Sequence, residues 1–274
     1  MKILRIVCLT ALMALSAGIA SAKDTFVIGV APHTSARVIL EMYQPLRGYM
    51  EKVLSMPVAV TTAPDFDTFA RRALAQEFDL AITTGQQARL LQIDKGYIPL
   101  LTYKAEFKAI ALVASRGTIK KPADLNGKLI LGLSPTSQVT LWGQHWLKEK
   151  KVNAPIKYVS ASDSVAQLVI KDEAAAGFTS LANYQKLAPD VRGKLRIFAE
   201  SKPMAGRVYM LNSRNAALKK KIDAALWTFA ATPEAKKYFE VNKLEGYRKL
   251  RANELKAMDS YADEVRKVLN SGAK

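Results

Sequence analysis

Three short segments of this 274-residue chain combine hydroxyl and amide side chains in an order that suits a small anion: His33-Thr34-Ser35, Thr83-Thr84-Gly85-Gln86 and Pro135-Thr136-Ser137-Gln138. Each follows an apolar stretch and precedes a helical pattern. A helix N-terminus carries unpaired backbone N–H groups and a partial positive charge, so it attracts anions. Thr83, Thr84, Gln86, Thr136, Ser137 and Gln138 can add donors without burying a charge. Gly85 allows close backbone approach. His33, with Thr34 beside it, can donate to an anion and make binding depend on pH. Ser180, after Phe178-Thr179, adds a further hydroxyl at a strand end. Each residue also has a plainer use. Thr136 or Ser137 can be an N-cap worth about 1 kcal/mol with no ligand present. Thr83–Gln86 can be an ordinary turn and His33 a surface residue. Trp142 and Trp146, four apart on a helix, read as core, and Asp163 reads as part of a helix's first turn.

Enzyme chemistry is poorly provided for. The chain has two histidines, His33 and His145, far apart, with no histidine–glutamate metal motif and no glycine-rich phosphate loop. Gly132-Leu133-Ser134-Pro135-Thr136 lacks the second glycine of a nucleophile elbow. The only cysteine is Cys8. The expectation is therefore a non-enzyme with no cofactor and no metal. A hydrolase, the remaining catalytic reading, would have to show turnover of phosphoesters.

The elements that must hold these residues begin after a leader. Lys2 and Arg5, an apolar run from Ile6 to Ala17, and Ala20-Ser21-Ala22 form a secretory signal peptide, cleaved after Ala22. The apolar run is shorter than the roughly 20 residues a spanning helix needs. The mature chain then has no cysteine, and its stability must come from its core. Losing Lys2 and Arg5 lowers the formal charge from +17 to +15, because the leader contains no acid. The lysines are scattered over helical segments as solvated faces. With export, that argues against nucleic acid and for a small anionic solute steered by the whole field.

Strand and helix patterns alternate from Thr25 to Gly85. Val38, Leu40, Tyr43, Leu46 and Met50 are expected on the inner face of the first helix. Apolar runs at Ile98–Leu101 and Ala109–Val113 follow. A second alternating set runs from Leu129, with a helix from about Ser137 to Lys150. The last strands are Leu195–Phe198 and Val208–Leu211, and from Asn215 the pattern is helical. Alternation predicts mostly parallel sheets flanked by helices. The expected organisation is residues 1–22 as leader, 23–112 as the first lobe with 201–274 returning to it, and 113–200 as the second lobe. Ligands bind outside the carboxyl ends of such strands, and two facing lobes make a cleft that can close.

Several motifs carry a family likeness: Gly29-Val30-Ala31-Pro32, Gln44-Pro45-Leu46, Phe78-Asp79-Leu80-Ala81, the run Ile119–Ile130 with Asp124-Leu125-Asn126-Gly127-Lys128, Ser160–Asp163 through Ala176-Gly177, Glu245–Arg248 and Tyr261–Arg266. Together the chain resembles the solute-binding proteins of ABC transporters for phosphonate, phosphite and related oxyanions, the PhnD family. The resemblance implies a type II periplasmic binding protein fold: α/β, two lobes, a hinge of two crossings. It implies a monomeric periplasmic receptor that hands a phosphonate- or phosphite-like oxyanion to a membrane permease. The alternative is a sensor subunit that signals to a membrane protein through the same fold. Two positions depart from the family pattern. The Ser-Thr-Ser-Gly loop is Ser134-Pro135-Thr136-Ser137-Gln138 here, and the tyrosine after the Phe78–Ile82 strand is replaced within Thr83–Gln87.

Overall fold

The computed structural model of the chain describes residues 25–159 and 162–271. The leader with its cut after Ala22, and Ser160-Ala161 of the family motif, lie outside the described residues.

The first lobe opens with β1 (Phe26–Val30), α1 (Ala36–Leu54), β2 (Val58–Thr61), α2 (Phe66–Leu74), β3 (Leu80–Thr84), α3 (Gly85–Lys95) and β4 (Ile98–Tyr103). The chain crosses and builds β5 (Ala109–Ala114), β6 (Ile130–Gly132), α4 (Gln138–Glu149), β7 (Ile156–Tyr158), α5 (Ser162–Ile170), β8 (Ala176–Ser180), α6 (Leu181–Lys186), α7 (Pro189–Arg192) and β9 (Leu195–Glu200). It then returns for β10 (Arg207–Leu211), α8 (Lys219–Ala230), α9 (Pro233–Val241), β11 (Tyr247–Arg248) and α10 (Asp259–Ser271).

One sheet has the order β11-β4-β10-β3-β1-β2 and the other β7-β6-β8-β5-β9. Both are mixed, where alternation alone predicts mostly parallel pairing. The crossings are the cause. β10 arrives from the second lobe and runs antiparallel between β3 and β4, and β5 does the same between β8 and β9. The first crossing lies at residues 104–108, ahead of the 112/113 boundary read from the sequence, because Ala109–Ala114 is paired within the second sheet. The two crossings lie side by side, joined by a Phe107–Met204 bridge whose Met204 N donates to Phe107 O at 2.9 Å.

Apolar spacing builds the layers. In α1 the buried set is Ile39, Tyr43, Leu46, Met50 and Leu54. Ile39 takes the inner position expected of Val38 and Leu40, because it sits one turn before Tyr43, and Leu40 is exposed. Ser35 caps this helix by accepting from Val38 N. α1, α8 and α9 cover one face of the first sheet, and α2 and α3 cover the other. Trp142 and Phe178 are buried together in the second lobe, their rings edge to face at 6.1 Å.

Candidate functional site

The site is built on the carboxyl ends of the parallel strands of the first lobe. β1 ends two residues before the Pro32-His33 turn, and β3 runs straight into α3 with no loop, so Thr84 is at once the last strand residue and the helix N-cap. The register pairs Arg207 with Thr84 and Tyr209 with Ile82. Cross-strand partners share a face. Arg207, Thr84, Tyr209 and Ile82 therefore face the α1 side, and Thr83 faces the other. The same register rule sets Tyr209, Tyr103 and Tyr247 on adjacent strands.

A hydroxyl network fills that face. Tyr103 hydrogen-bonds Tyr43 at 3.2 Å, Tyr209 at 2.8 Å and Tyr238 at 2.5 Å, and Tyr209 bonds Tyr247 at 2.8 Å. Burial above all, with their mutual proximity, pushes Tyr103, Tyr209, Tyr238 and Tyr247 well above the usual phenol range, so the cluster is neutral. Arg207 lies over it, its guanidinium carbon 5.0 Å from the centre of the Tyr103 ring. Burial works against the charge of Arg207, but the surrounding tyrosine oxygens outweigh it and hold the group above its ordinary pKa.

Among the described residues no carboxylate lies within ion-pair distance of Arg207, and its single side-chain hydrogen bond runs from Nη1 to His33 Nε2 at 2.7 Å. Lys186, at the end of α6 in the second lobe, is near enough for the two charges to act on each other. Desolvation and then the charge of Arg207 lower the pKa of Lys186, and Lys186 in turn helps lower that of His33. A first-lobe cation with no carboxylate at ion-pair distance among the described residues thus has a second-lobe cation within its field, an arrangement that favours an anion.

Beside them the lobes touch directly. Gln86 Nε2 donates to Thr136 O at 3.0 Å, Gln138 Nε2 donates to Ala205 O at 2.9 Å, and the Thr136 hydroxyl donates to Asp67 on α2. Gly85 is required here, since a Cβ would stand 2.5 Å from Ala205 O. A backbone carbonyl only accepts, so each glutamine amide must point its NH2 at it. That leaves Gln86 Oε1 and Gln138 Oε1 as buried acceptors without a partner, and the hydroxyls of Thr84 and Thr179 are unpaired as well.

The sequence-derived residues divide accordingly. Gln86, Thr136 and Gln138 meet at the seam between the lobes, and Thr84 lies on the Arg207 face. Thr83 donates to Gln87 Oε1 at 2.7 Å on the opposite face, and Gln87 Nε2 donates to Phe66 O. Ser137 and Ser180 cap α4 and α6, accepting from Thr140 N and Asn183 N. Thr34 is exposed. His33 reaches the site, but both its ring nitrogens are engaged, one by Ala31 O at 2.9 Å. Arg207, Lys186 and the tyrosine cluster escaped sequence reasoning. The available signal for Arg207 was a cation opening an otherwise apolar strand at the second crossing.

A separate hollow of about 650 Å3 lies between Trp227, Phe239, Tyr247 and the lysines Lys104, Lys236 and Lys243. It is broad and open to solvent, and it brings no polar groups together from the two lobes. The cleft edge is therefore the better candidate.

Residues 28–255 match the family described as "ABC transporter, phosphonate, periplasmic substrate-binding protein". The chain belongs to this family. A search of curated proteins returns no match. Solved structures agree on the fold. XAC2383 from Xanthomonas citri, bound to chloride ion, superposes with a TM-score of 0.76 at 19% identity, over 89% of this chain and 99% of that one. PhnD1 from Prochlorococcus marinus, in complex with methylphosphonate, gives 0.76 at 13% identity over 89% and 98%. The aliphatic sulphonate binding protein SsuA from Escherichia coli gives 0.61 at 14% over 89% and 92%. The fold of this substrate-binding family member is the type II periplasmic binding protein fold.

Proposed function

We propose that this protein captures a small oxyanion of the phosphonate or phosphite class in the periplasm and delivers it, as a monomer, to the permease of an ABC transporter. The observation that carries the anion is Arg207, a guanidinium with no carboxylate at ion-pair distance among the described residues, its one side-chain hydrogen bond going to His33 and its charge reaching Lys186 of the second lobe. Family membership supports delivery to a permease, and methylphosphonate in a protein of the same fold agrees in ligand chemistry. In this reading residues 1–22 direct export and are removed after Ala22. Residues 25–103 with 207–271 form one lobe and 109–200 the other, and 104–108 and 201–206 are the hinge. Arg207 and Lys186 supply charge. Gln86, Thr136 and Gln138 at the seam and Thr84 on the Arg207 face meet the ligand's remaining atoms. Thr83, Ser137 and Ser180 hold the elements in place. The protein binds and performs no chemistry on its ligand.

The test is native mass spectrometry of the purified protein, then titration calorimetry with methylphosphonate, phosphite, phosphate and methanesulfonate. Hydrogen bonds to charged groups contribute about 1.5–3 kcal/mol, so Arg207→Met is expected to weaken the best ligand about tenfold to a hundredfold. An unchanged Kd in that variant sinks the assignment.

A further inference from the structure

His33 sits between two groups that leave it one protonation state. Its Nδ1 is 2.9 Å from Ala31 O, and its Nε2 is 2.7 Å from Arg207 Nη1. A guanidinium has only donors, so Nε2 must accept. A carbonyl only accepts, so Nδ1 must carry the proton. The ring is therefore the neutral Nδ1–H tautomer, with no N–H free for a ligand. Arg207 at the start of β10 and Tyr43 on α1, whose ring meets it edge-on at 6.5 Å, pack against it, and the charge of Lys186 at the end of α6 reaches it. Burial first and then Arg207 drive its pKa well below the usual histidine value; the hydrogen bond to the Ala31 carbonyl opposes them, and Lys186 adds a smaller lowering.

Arg207, for its part, has one fixed nitrogen and one supporting ring face. Nη1 is held by His33, and the plane rests over Tyr103. Nε and Nη2 make no hydrogen bond to the described residues, and they are the donors left for an oxyanion. Without an acceptor at Nε2, the guanidinium loses its only side-chain hydrogen bond, and its long side chain regains rotamers that binding must then freeze.

We propose that His33 is a positioning residue, a neutral hydrogen-bond acceptor that aims Arg207 into the cleft, and not a cationic ligand for the anion. This rests on the reading that Arg207 takes the anion. It reverses the ordinary expectation for a histidine at an anion site, which would pick up a proton as the anion arrives.

Three variants and three measurements decide it. Imidazole 15N NMR of the mature protein, which has only His33 and His145 to assign, should show the Nδ1–H tautomer of His33 unchanged from pH 5.5 to 8. Calorimetry with methylphosphonate, phosphite and methanesulfonate as probes should show His33→Phe weakening the best probe at least tenfold. His33→Gln, whose side-chain oxygen can accept from Arg207, should recover most of that loss. Proton uptake on binding, measured in buffers of different ionisation enthalpy, should be the same in wild type and His33→Gln, which cancels the ligand's own titration. Proton uptake that disappears in His33→Gln overturns the proposal, as does wild-type affinity in His33→Phe or a His33 that titrates at its ordinary pKa. If Arg207→Met binds normally while the tautomer is as stated, the anion reading of Arg207 fails and takes this role with it. If no probe binds the wild type, both fail.

Discussion

Thr83 and Thr84 are adjacent threonines at the same strand end, buried to similar degrees, and they differ in what their hydroxyls already do. Thr83 donates to Gln87 Oε1, while the Thr84 hydroxyl has no partner and lies on the face of Arg207. Replacing Thr83 with valine strands a buried amide oxygen, at a cost of about 1–3 kcal/mol. Replacing Thr84 with valine removes a group that is already unpaired, which is near neutral for folding. Thr83→Val should therefore lower the denaturation midpoint and move ligand affinity little. Thr84→Val should leave the midpoint in place and weaken the anion. Urea denaturation and calorimetry on the same two proteins check both halves, and equal effects of the two variants on affinity would refute the division. The sequence shows two threonines beside a glycine and a glutamine, and from the types alone both are donors. Which one shares the face of Arg207 depends on the alternation of β3, and on β3 running one residue past Thr83 with no loop before α3. Arg207 and Lys186 were harder still. They come together only through a chain that crosses between lobes twice and a register that sets Arg207 opposite Thr84.

Elements of the fold were more legible than their partners, because apolar periodicity is a local property. The strand at Val58–Thr61 and the helix at Phe66–Leu74 follow directly from it. The two-residue strand β11 does not, since two residues carry no period. It forms because Glu245 and Gly246 take positive φ of 61° and 100° and turn the chain so that Lys104 N can donate to Gly246 O at 2.8 Å. The family motif at Asp79 also gains a physical meaning. Its Oδ2 accepts from Val27 N at 2.7 Å, and its Oδ1 accepts from Arg214 Nη2 and Asn215 Nδ2, both at 2.7 Å. One carboxylate thus ties β1, β3 and the start of the C-terminal helical segment together. Its side chain is 13% exposed, against 48% for Arg214. Removing Asp79 strands the Val27 N–H and the Asn215 amide together with Arg214, about 3 kcal/mol in all at about 1–3 kcal/mol for a stranded donor, whereas removing the half-exposed Arg214 leaves Asp79 those two hydrogen bonds and costs about 1 kcal/mol or less. Asp79→Ala is thus expected to lower Tm by roughly 6–12 °C, and Arg214→Ala by much less. Thermal melts followed by circular dichroism measure both, and a larger drop in Arg214→Ala would contradict this account of the motif.

At the scale of the whole molecule, the question is what holds the two lobes together when the hinge could open. The C-terminal helix α10 belongs to the first lobe. Arg89 and Asp259 pair at 2.5 Å, Arg266 clasps Asp94 at 2.7 Å, and Arg71 Nη2 donates to Leu269 O at 2.7 Å. Yet α10 also reaches α4 of the second lobe. Leu141 of α4 is buried in a cluster with Ala70, Leu90, Ala262, Val265 and Leu269. Tyr261 stacks on His145 at 4.6 Å, and Glu264 accepts from His145 Nε2 at 2.6 Å. Opening the hinge must break this second set, so it biases the protein toward the closed state. The two kinds of contact differ in weight. Full burial of a leucine is worth about 1.5–3 kcal/mol, whereas a pair whose side chains are both 34% exposed is worth about 0.2–1 kcal/mol. Apparent affinity falls with the fraction of closed protein. Leu141→Ala should therefore raise Kd by up to about a hundredfold and enlarge the ligand-free radius of gyration in small-angle scattering. Glu264→Gln should change Kd by no more than about fivefold. Leu141→Ala is also expected to lose some stability of its own, so the scattering measurement is the decisive one. A folded Leu141→Ala protein with wild-type dimensions and wild-type affinity would mean that α10 merely touches the second lobe and does not hold it.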